Sequence, residues 1–462
     1  MRAPIAVSFT LLLAAACAHY EVNPRIKTPQ VDPSHGYRFG TTNDGGRDDD
    51  TFVIVTFSGG GTRAAALAYG VLQKLAATPI KGGQSDLLAA VDVISSVSGG
   101  SFTSAYYALH GREGLPELRK NFLEQNIQGA LIKGLFNPIN WFKLLSPYYS
   151  RIDMAMELYD KRIFKGATFA DMPRSGRPFT MFCATENDVG SPFVFTQEQF
   201  DGICSDLDQV KVVKGVAASS AIPPALTPIT LRSYAANGGC GYDAGTWFKL
   251  ASNDYLINPW RYKFRSDLAA IIDPKRPYLH LSDGGTADNI GLRGSAHAIM
   301  SQDTLQMNDT RPVFGYSVLR LINLRRVKRV VVIVVNAKTE HLLKADLHEK
   351  TPNIVALIGN AAGVPLGNYS FDTIQMLNSE LKLRATEAKE ARDAGVTDFP
   401  EAKYYFMEVT FSALGDPAVR EQFNDMGTNF SLPPADVAKL IAIGGTILDQ
   451  SPVFQQLVKD LQ

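Results

Sequence analysis

Two strand-to-helix junctions rich in glycine constrain the fold of this chain most strongly. In the first, the apolar run Thr51 to Phe57 ends at Ser58-Gly59-Gly60-Gly61-Thr62-Arg63, and a helix-like run follows. In the second, the apolar run Asp92 to Val97 ends at Ser98-Gly99-Gly100, and a helix-like run follows again. Apolar strands that alternate with helices predict an α/β fold with a mostly parallel sheet. Further strands are predicted at Pro178 to Thr185, Tyr278 to Ser282 and Arg329 to Asn336.

Ser98 stands where a nucleophilic serine would stand in a strand–elbow–helix motif. The tight turn exposes the serine and requires small residues two positions before and after it. These positions are Ser96 and Gly100, whereas the usual pattern has glycine at both. A serine-rich strand end that caps a helix explains the motif equally well when the motif is taken alone.

The glycines of the first junction predict an anion-binding loop. Gly59, Gly60 and Gly61 let the main chain approach a ligand closely, and the helix that starts near Thr62 directs its positive end to the same place. In an acyl-transfer enzyme such a loop is an oxyanion hole. A phosphate-binding loop is the rival interpretation, but the lysine followed by serine or threonine is missing and no G-x-G-x-x-G spacing occurs.

Asp283 ends the third informative segment, Tyr278 to Gly285. A short strand delivers this aspartate to the carboxyl edge of the sheet, where α/β proteins place their chemistry. An ordinary Asp-Gly turn is the alternative, and it would need no catalytic role.

In content and order, these three segments resemble the patatin-like phospholipase family. Phe182 to Asp188 is similar to the family's central strand and following loop, and Ala217 to Ala225 to its small-residue helix end and proline turn. The resemblance covers roughly Thr51 to Asn336. It implies a three-layer α/β/α fold with a mostly parallel central sheet, to which this chain adds a mainly helical C-terminal extension.

The resemblance also implies the site residues. They are a Ser98–Asp283 dyad, elbow positions Ser96 and Gly100, an oxyanion hole at Gly59, Gly60 and Gly61 with the last two amides as donors, and Arg63 for substrate binding. The chain departs from the family at Ser96, and at Ala64, where the family often has glycine. Both residues are small, so these departures bear on the substrate class more than on catalysis.

The expected function is a serine lipid acyl hydrolase that cleaves fatty acyl esters of membrane lipids through an acyl-enzyme. A catalytically silent lipoprotein that binds lipid is the alternative. A Ser-His-Asp triad is the rival mechanism, and in the order found in α/β-hydrolases its histidine would be His297, His341 or His348. His280, inside the aspartate strand, is interpreted as a core histidine.

Composition excludes several partners. Lys+Arg and Asp+Glu both number 46, so no global attraction to nucleic acid is indicated. Paired Cys-x-x-Cys and His-Glu-x-x-His motifs are missing, so neither a metal nor another cofactor is expected. Phospholipid or another acyl lipid is the expected substrate, a membrane surface the expected partner, and no obligate protein partner is inferred.

The N-terminus predicts export. Residues 1–16 form a short charged region, an apolar core and small residues before Cys17, which is typical of a bacterial lipoprotein signal with Cys17 as the lipidated residue. Ala18 favours the outer membrane. An ordinary secretory signal, cut near Ala16 or Ala18, is the alternative and would leave the protein periplasmic or secreted.

The rest of the chain divides into three predicted parts: a tether at residues 17–50, the catalytic domain at 51–338, and a C-terminal extension packed on it at 339–462. The extension carries a predicted helix, a strand at Lys403 to Phe411 and a final helix. Residues 127–145 are rich in apolar and aromatic side chains, which predicts either a lid or a pair of short helices packed on the core. Cys204 and Cys240 are the preferred disulfide pair, since Cys183 lies in an apolar strand.

Overall fold

A central mixed sheet carries the fold. The computed structural model describes residues 18–28, 32, 34–39, 50–174, 176, 178–236, 240, 255–256, 259–293, 327–340, 349, 354–395 and 402–462. The strands are β1 (Thr51–Phe57), β2 (Pro79–Ile80), β3 (Ser85–Asp86), β4 (Val91–Val97), β5 (Phe179–Glu186), β6 (Ser191–Val194), β7 (Ile229–Arg232), β8 (Tyr278–Asp283), β9 (Arg329–Asn336) and β10 (Lys403–Thr410).

The helices flank this sheet and connect its strands. They are α1 (Gly61–Ala76), α2 (Gly99–Leu118), α3 (Ile127–Leu135), α4 (Pro138–Leu144), α5 (Arg151–Tyr159), α6 (Gln197–Gly202), α7 (Val212–Ser219), α8 (Pro259–Ile271), α9 (Gly285–Asp288), α10 (Ile354–Asp393), α11 (Pro417–Asn424), α12 (Pro434–Gln450) and α13 (Pro452–Leu461).

The strand order is β10-β9-β1-β4-β5-β8-β7, with β6 also paired to β5. The run from β10 to β5 is parallel, and β8, β7 and β6 add antiparallel pairs on the side of β5. Strands β1, β4 and β9 are buried almost throughout, which their apolar composition requires in a sheet covered by helices. The predicted α/β fold with a mostly parallel sheet and a helical C-terminal region is confirmed.

The C-terminal part of the chain is joined closely to the central sheet. Strand β10 extends the sheet through β9, and α12 packs on α1. A Cβ atom at Gly70 would lie 2.0 Å from the carbonyl oxygen of Ile441, so the two helix backbones meet at this glycine. Helix α1 is therefore buried between the sheet and α12. This packing holds in place the glycine loop that precedes α1.

Part of the predicted tether is packed on the protein. Asn23 donates hydrogen bonds of 2.9 Å to the Ser205 hydroxyl and to the Arg232 carbonyl. The Tyr37 side chain is 2% exposed, and its hydroxyl donates to the carbonyl of Thr180. Where the structure describes it, this segment is therefore not a free chain. Some of its side chains are buried in the folded domain or form hydrogen bonds with it, which its polar composition did not indicate.

Other predictions about chain organisation have definite outcomes. Cys204 and Cys240 form a disulfide, as preferred, and Cys183 is a buried free thiol. Residues 127–145 form two short helices, α3 and α4. Within the residues described, none of the helices has the length and apolar character needed to cross a bilayer. The predicted signal and Cys17 lie outside the described residues.

Candidate active site

Ser98 occupies a strained turn between β4 and α2. Its φ of 49° and ψ of −120° lie in a region that residues with a side chain rarely adopt. The glycines after it allow this turn. A Cβ at Gly99 would lie 2.0 Å from the Gly61 carbonyl oxygen, and one at Gly100 would lie 2.7 Å from the Cβ of Phe57. The elbow is thus pressed against the glycine loop.

Ser96 replaces the usual first glycine of the elbow without disturbing it. Its hydroxyl oxygen lies 2.7 Å from the Ser104 hydroxyl oxygen and donates to the Met181 carbonyl at 3.0 Å. A polar group buried in this way is satisfied by protein partners. The serine at this position is therefore accommodated by hydrogen bonds inside the core, and these bonds do not involve the Ser98 hydroxyl.

Asp283 ends β8 and shares a buried site with Ser98. One carboxylate oxygen, Oδ1, accepts a 2.8 Å hydrogen bond from the Gly285 amide, which orients the group. The other oxygen, Oδ2, and the Ser98 Oγ are both buried, and neither makes a hydrogen bond with good geometry to the described protein atoms. The Ser98 hydroxyl nevertheless lowers the pKa of Asp283, so the two groups are near enough to interact.

Burial dominates the electrostatics of this carboxyl group. Desolvation raises the pKa of Asp283 from 3.8 to about 6, against the opposing effects of the Ser98 hydroxyl and the Gly285 amide. The carboxylate is ionised at neutral pH, and its pKa has moved toward the range useful for a general base.

Ser219, at the end of α7, joins the nucleophile to the aspartate, and sequence reasoning did not single it out. Its hydroxyl oxygen accepts from the Ser98 amide at 2.8 Å and donates to the Cys183 carbonyl at 2.6 Å. Its own carbonyl accepts from the Gly284 amide at 3.1 Å. One residue thus holds the backbone of the elbow, β5 and the aspartate loop together. The similarity of Ala217 to Ala225 to a family segment was the available signal.

The glycine loop offers two amides to an anion. The Gly59 amide already donates to the Asn289 carbonyl at 2.9 Å, so it is not free to bind an anion, and the predicted donors are the next two amides. Gly60 and Gly61 have φ values of 140° and 60°, and α1 begins at Gly61. Among the hydrogen bonds between described residues, their amides have no acceptor. These two donors lie at the positive end of a long helix.

Arg63 has a structural position that does not fit its predicted role in substrate binding. The side chain is 3% exposed. Its guanidinium donates to the Ala337 carbonyl and the Thr428 hydroxyl, each at 2.9 Å, and to the Met426 carbonyl. Its donors are therefore used to tie the glycine loop to β9 and to the segment before α12.

Of the histidines considered for the rival triad, the structure describes His280. His280 is exposed on β8, where its ring lies 3.2 Å from the Thr230 hydroxyl, so its interpretation as a core histidine was wrong. Successive side chains of a strand point to opposite faces of the sheet, and His280 lies on the face opposite to its buried neighbours. His297, His341 and His348 lie outside the described residues.

Within the described part of the chain, potential metal ligands cluster at His35, Asp206 and Asp208. Asp208 pairs with Arg174, and Asp206 accepts from Gln209 at 2.5 Å. These internal contacts account for the cluster, and none of its residues belongs to the Ser98 site.

The chain is similar to two solved structures and to one family model. No curated protein matches the chain significantly. Human GIVD cytosolic phospholipase A2 is a structural neighbour with a TM-score of 0.44 and 13% identity, over 99% of this chain and 66% of the neighbour. VipD from Legionella pneumophila has a TM-score of 0.32 and 11% identity, over 89% of this chain and 67% of VipD. The chain thus spans about two thirds of either neighbour.

A family model carries the assignment. The model for patatin-like phospholipases matches residues 55–294, which is more than half of the chain. The match includes the glycine loop, the Ser98 elbow, Ser219 and Asp283. This chain belongs to the patatin-like phospholipase family.

Proposed function

We propose that this protein is a serine lipid acyl hydrolase in which Ser98 and Asp283 form a catalytic dyad. One observation supports this most directly. In a well-packed interior, Ser98 Oγ and Asp283 Oδ2 are both buried and both lack a hydrogen-bond partner of good geometry. Unsatisfied polar groups of this kind are rare in folded proteins. Hydrogen bonds between catalytic groups are often long before substrate binds.

In the proposed reaction, Asp283 accepts and returns the proton at each step. Ser98 Oγ attacks the ester carbonyl carbon, and its proton moves to Asp283 as the new C–O bond forms. The Gly60 and Gly61 amides stabilise the negative oxygen. Asp283 then gives the proton to the leaving alcohol as the old C–O bond breaks. A water molecule attacks the acyl-enzyme, loses its proton to Asp283, and the fatty acid leaves as Ser98 regains a proton.

The proposed location is the bacterial envelope, with Cys17 as a lipid anchor and the outer membrane as the destination. The signal-like residues 1–16 support export. The Cys204–Cys240 disulfide supports it independently, because structural disulfides persist mainly in oxidising compartments. Under this proposal the substrate is an acyl lipid of the membrane to which the enzyme is attached.

A fluorophosphonate probe tests the dyad, because only an activated serine is labelled. The wild-type protein should be labelled at Ser98, and Ser98→Ala and Asp283→Asn should each abolish both labelling and hydrolysis of a short-chain nitrophenyl ester. Ser379→Ala, an exposed serine of α10, is the matched control and should keep both. Absence of labelling in folded wild-type protein would instead support the silent lipid-binding lipoprotein.

A further inference from the structure

Helices α3 and α4 and the residues that directly follow them expose several large apolar side chains. Phe136 is 73% exposed and Leu145 is 70% exposed. The full set, called here the α3–α4 surface, comprises Ile132, Phe136, Ile139, Trp141, Leu145 and Tyr148. Single exposed apolar residues are common, but such a concentration within seventeen residues marks an interaction surface.

The opposite side of α3 is packed on the protein. Ile127 is buried, and Gly134 is packed so closely that a Cβ there would lie 3.2 Å from the Met154 sulfur. The Gln128 amide donates to the Phe430 carbonyl at 3.1 Å. The exposed side chains therefore belong to a surface whose helix α3 is anchored on its other side.

The N-terminal segment reaches this same surface. The Ser146 hydroxyl donates to the Ala18 carbonyl at 2.5 Å, and the Tyr20 amide donates to the Tyr148 carbonyl at 2.6 Å. The His19 ring stacks on the Tyr148 ring with centroids 5.1 Å apart. Ala18 directly follows Cys17, so an acyl chain on Cys17 would emerge beside the α3–α4 surface.

Charge and composition identify the kind of partner. Residues 127–151 contain the basic residues Lys133, Lys143 and Arg151 and no acidic residue, and Lys143 pairs with Glu157 at 2.9 Å. Apolar side chains, a tryptophan and a tyrosine, flanked by basic residues, are the composition that enters the boundary between lipid headgroups and acyl chains. A protein partner would not need a lipid-bearing N-terminus at its edge.

Helix α3 is also connected to the glycine loop. Phe430, which accepts from α3, follows Asn429, whose carbonyl accepts a 2.8 Å hydrogen bond from the Thr62 amide. The same carbonyl oxygen would lie 2.3 Å from a Cβ at Gly61. One short segment therefore contacts both the packed side of α3 and the glycine loop.

We propose that the α3–α4 surface docks on a phospholipid bilayer and, together with Cys17, holds the enzyme against the membrane in one orientation. The role of docking in substrate access rests on the proposed function. Membrane binding itself is measured by an experiment that does not require activity. In this orientation α3, which is linked to the glycine loop through residues 429–430, lies at the lipid surface from which the substrate must be taken.

Trp141 reports the docking directly. The chain has three tryptophans, so Trp247→Phe with Trp260→Phe in the full chain leaves Trp141 as the only one. The probe is a vesicle of phosphatidylethanolamine and phosphatidylglycerol, with or without bromine on the acyl chains. We expect a blue shift and quenching in brominated vesicles. An unchanged spectrum with full access to aqueous iodide would overturn the proposal.

A second experiment does not depend on that variant. Phe136→Ser with Leu145→Ser should lower hydrolysis of vesicle lipid at least about tenfold and leave hydrolysis of a soluble short-chain ester unchanged. The control, Phe371→Ser with Leu383→Ser, removes two comparably exposed residues of α10 and should change neither rate. Equal effects of the two double variants on vesicle hydrolysis would refute docking through α3–α4.

Two further outcomes are distinguishable. If the Phe136/Leu145 variant converts a wild-type dimer to a monomer in light scattering and vesicle hydrolysis stays unchanged, the surface is an interface between copies and the proposal fails. If wild-type protein hydrolyses neither ester nor vesicle lipid, the proposed function fails, whereas quenching of Trp141 still supports docking.

Discussion

The hydroxyl oxygen of Ser219 accepts a 2.8 Å hydrogen bond from the backbone amide of Ser98. The elbow of Ser98 is strained, so it persists only where surrounding contacts hold it. Ser219 provides one of these contacts and also binds the carbonyl of Cys183 and the amide of Gly284. The nucleophile and the aspartate loop are therefore positioned by the same residue, which touches neither reacting atom.

Ser219→Ala should lower kcat by about 10²-fold while KM stays nearly constant, since a displacement of about 1 Å has an effect of this size. Ser220→Ala is the matched control: Ser220 is equally buried, but its hydroxyl donates only to carbonyls of its own helix, at Val216 and Ala217. Steady-state kinetics on a short-chain ester, with thermal unfolding as a check on folding, separates the two. Equal kcat values for the two variants would contradict a positioning role.

Activity should depend on the ionisation of Asp283. Because burial raises its pKa to about 6, the carboxylate that accepts the serine proton is present above that pH and is lost as pH falls through it. We expect kcat/KM on a neutral ester to fall about tenfold per pH unit below pH 6. A profile that stays flat down to pH 4.5 in folded protein would exclude Asp283 as the base.

The raised pKa of Asp283 also predicts how the free energy of unfolding depends on pH. A folded-state pKa raised above the unfolded value of 3.8 means that ionised Asp283 destabilises the fold, by about 3 kcal/mol at neutral pH. The stability contribution is fully present below pH 3.8 and is lost as pH rises through about 6. Asp283→Asn should therefore be inactive and more stable than wild type at pH 7, with the difference disappearing near pH 4. Differential scanning calorimetry at both pH values measures this.

The strands and the elbow could be predicted from sequence, because their signals are local. Uninterrupted β-branched runs such as Arg329 to Asn336 form buried parallel strands, and small residues around Ser98 form the turn. Arg63 shows where local reasoning failed. One of its partners, Met426, lies 363 residues away in the chain, so no pattern near Arg63 indicates that its charge is used internally.

The prediction of a tether at the N-terminal segment failed for a related reason. Residues 18–50 are polar and lack periodicity, which is typical of a linker, yet Tyr37 and Phe39 are buried against the domain. A few anchoring side chains are enough to order a segment without forming a helix or strand. Ser219 was missed because the resemblance of Ala217 to Ala225 to a family segment does not indicate which of its small residues makes the contacts.

Gly60 provides a test of the oxyanion hole. Its φ of 140° is unfavourable for alanine, so Gly60→Ala should rotate the amide and lower kcat by about 10²–10³-fold. Gly82 is the matched control, because it also has a positive φ of 65° and open space around its Cβ position. Gly82→Ala should leave kcat unchanged. Comparable losses in the two variants would indicate backbone strain in general and not the loss of a catalytic donor.

Lipidation of Cys17 is the prediction that links the chain's organisation to its location. Since Ala18 and Tyr20 are held on the loop after α4, an acyl chain on Cys17 would keep the folded domain at the membrane surface without a long intervening linker. Metabolic labelling with a palmitate analogue should mark the wild-type protein and place it in the membrane fraction. Cys17→Ser should lose the label and either remain unprocessed or appear in the soluble fraction, whereas Cys183→Ser, which changes a buried thiol, should stay labelled. A wild-type protein that is cleaved, unlabelled and soluble would instead support an ordinary secretory signal.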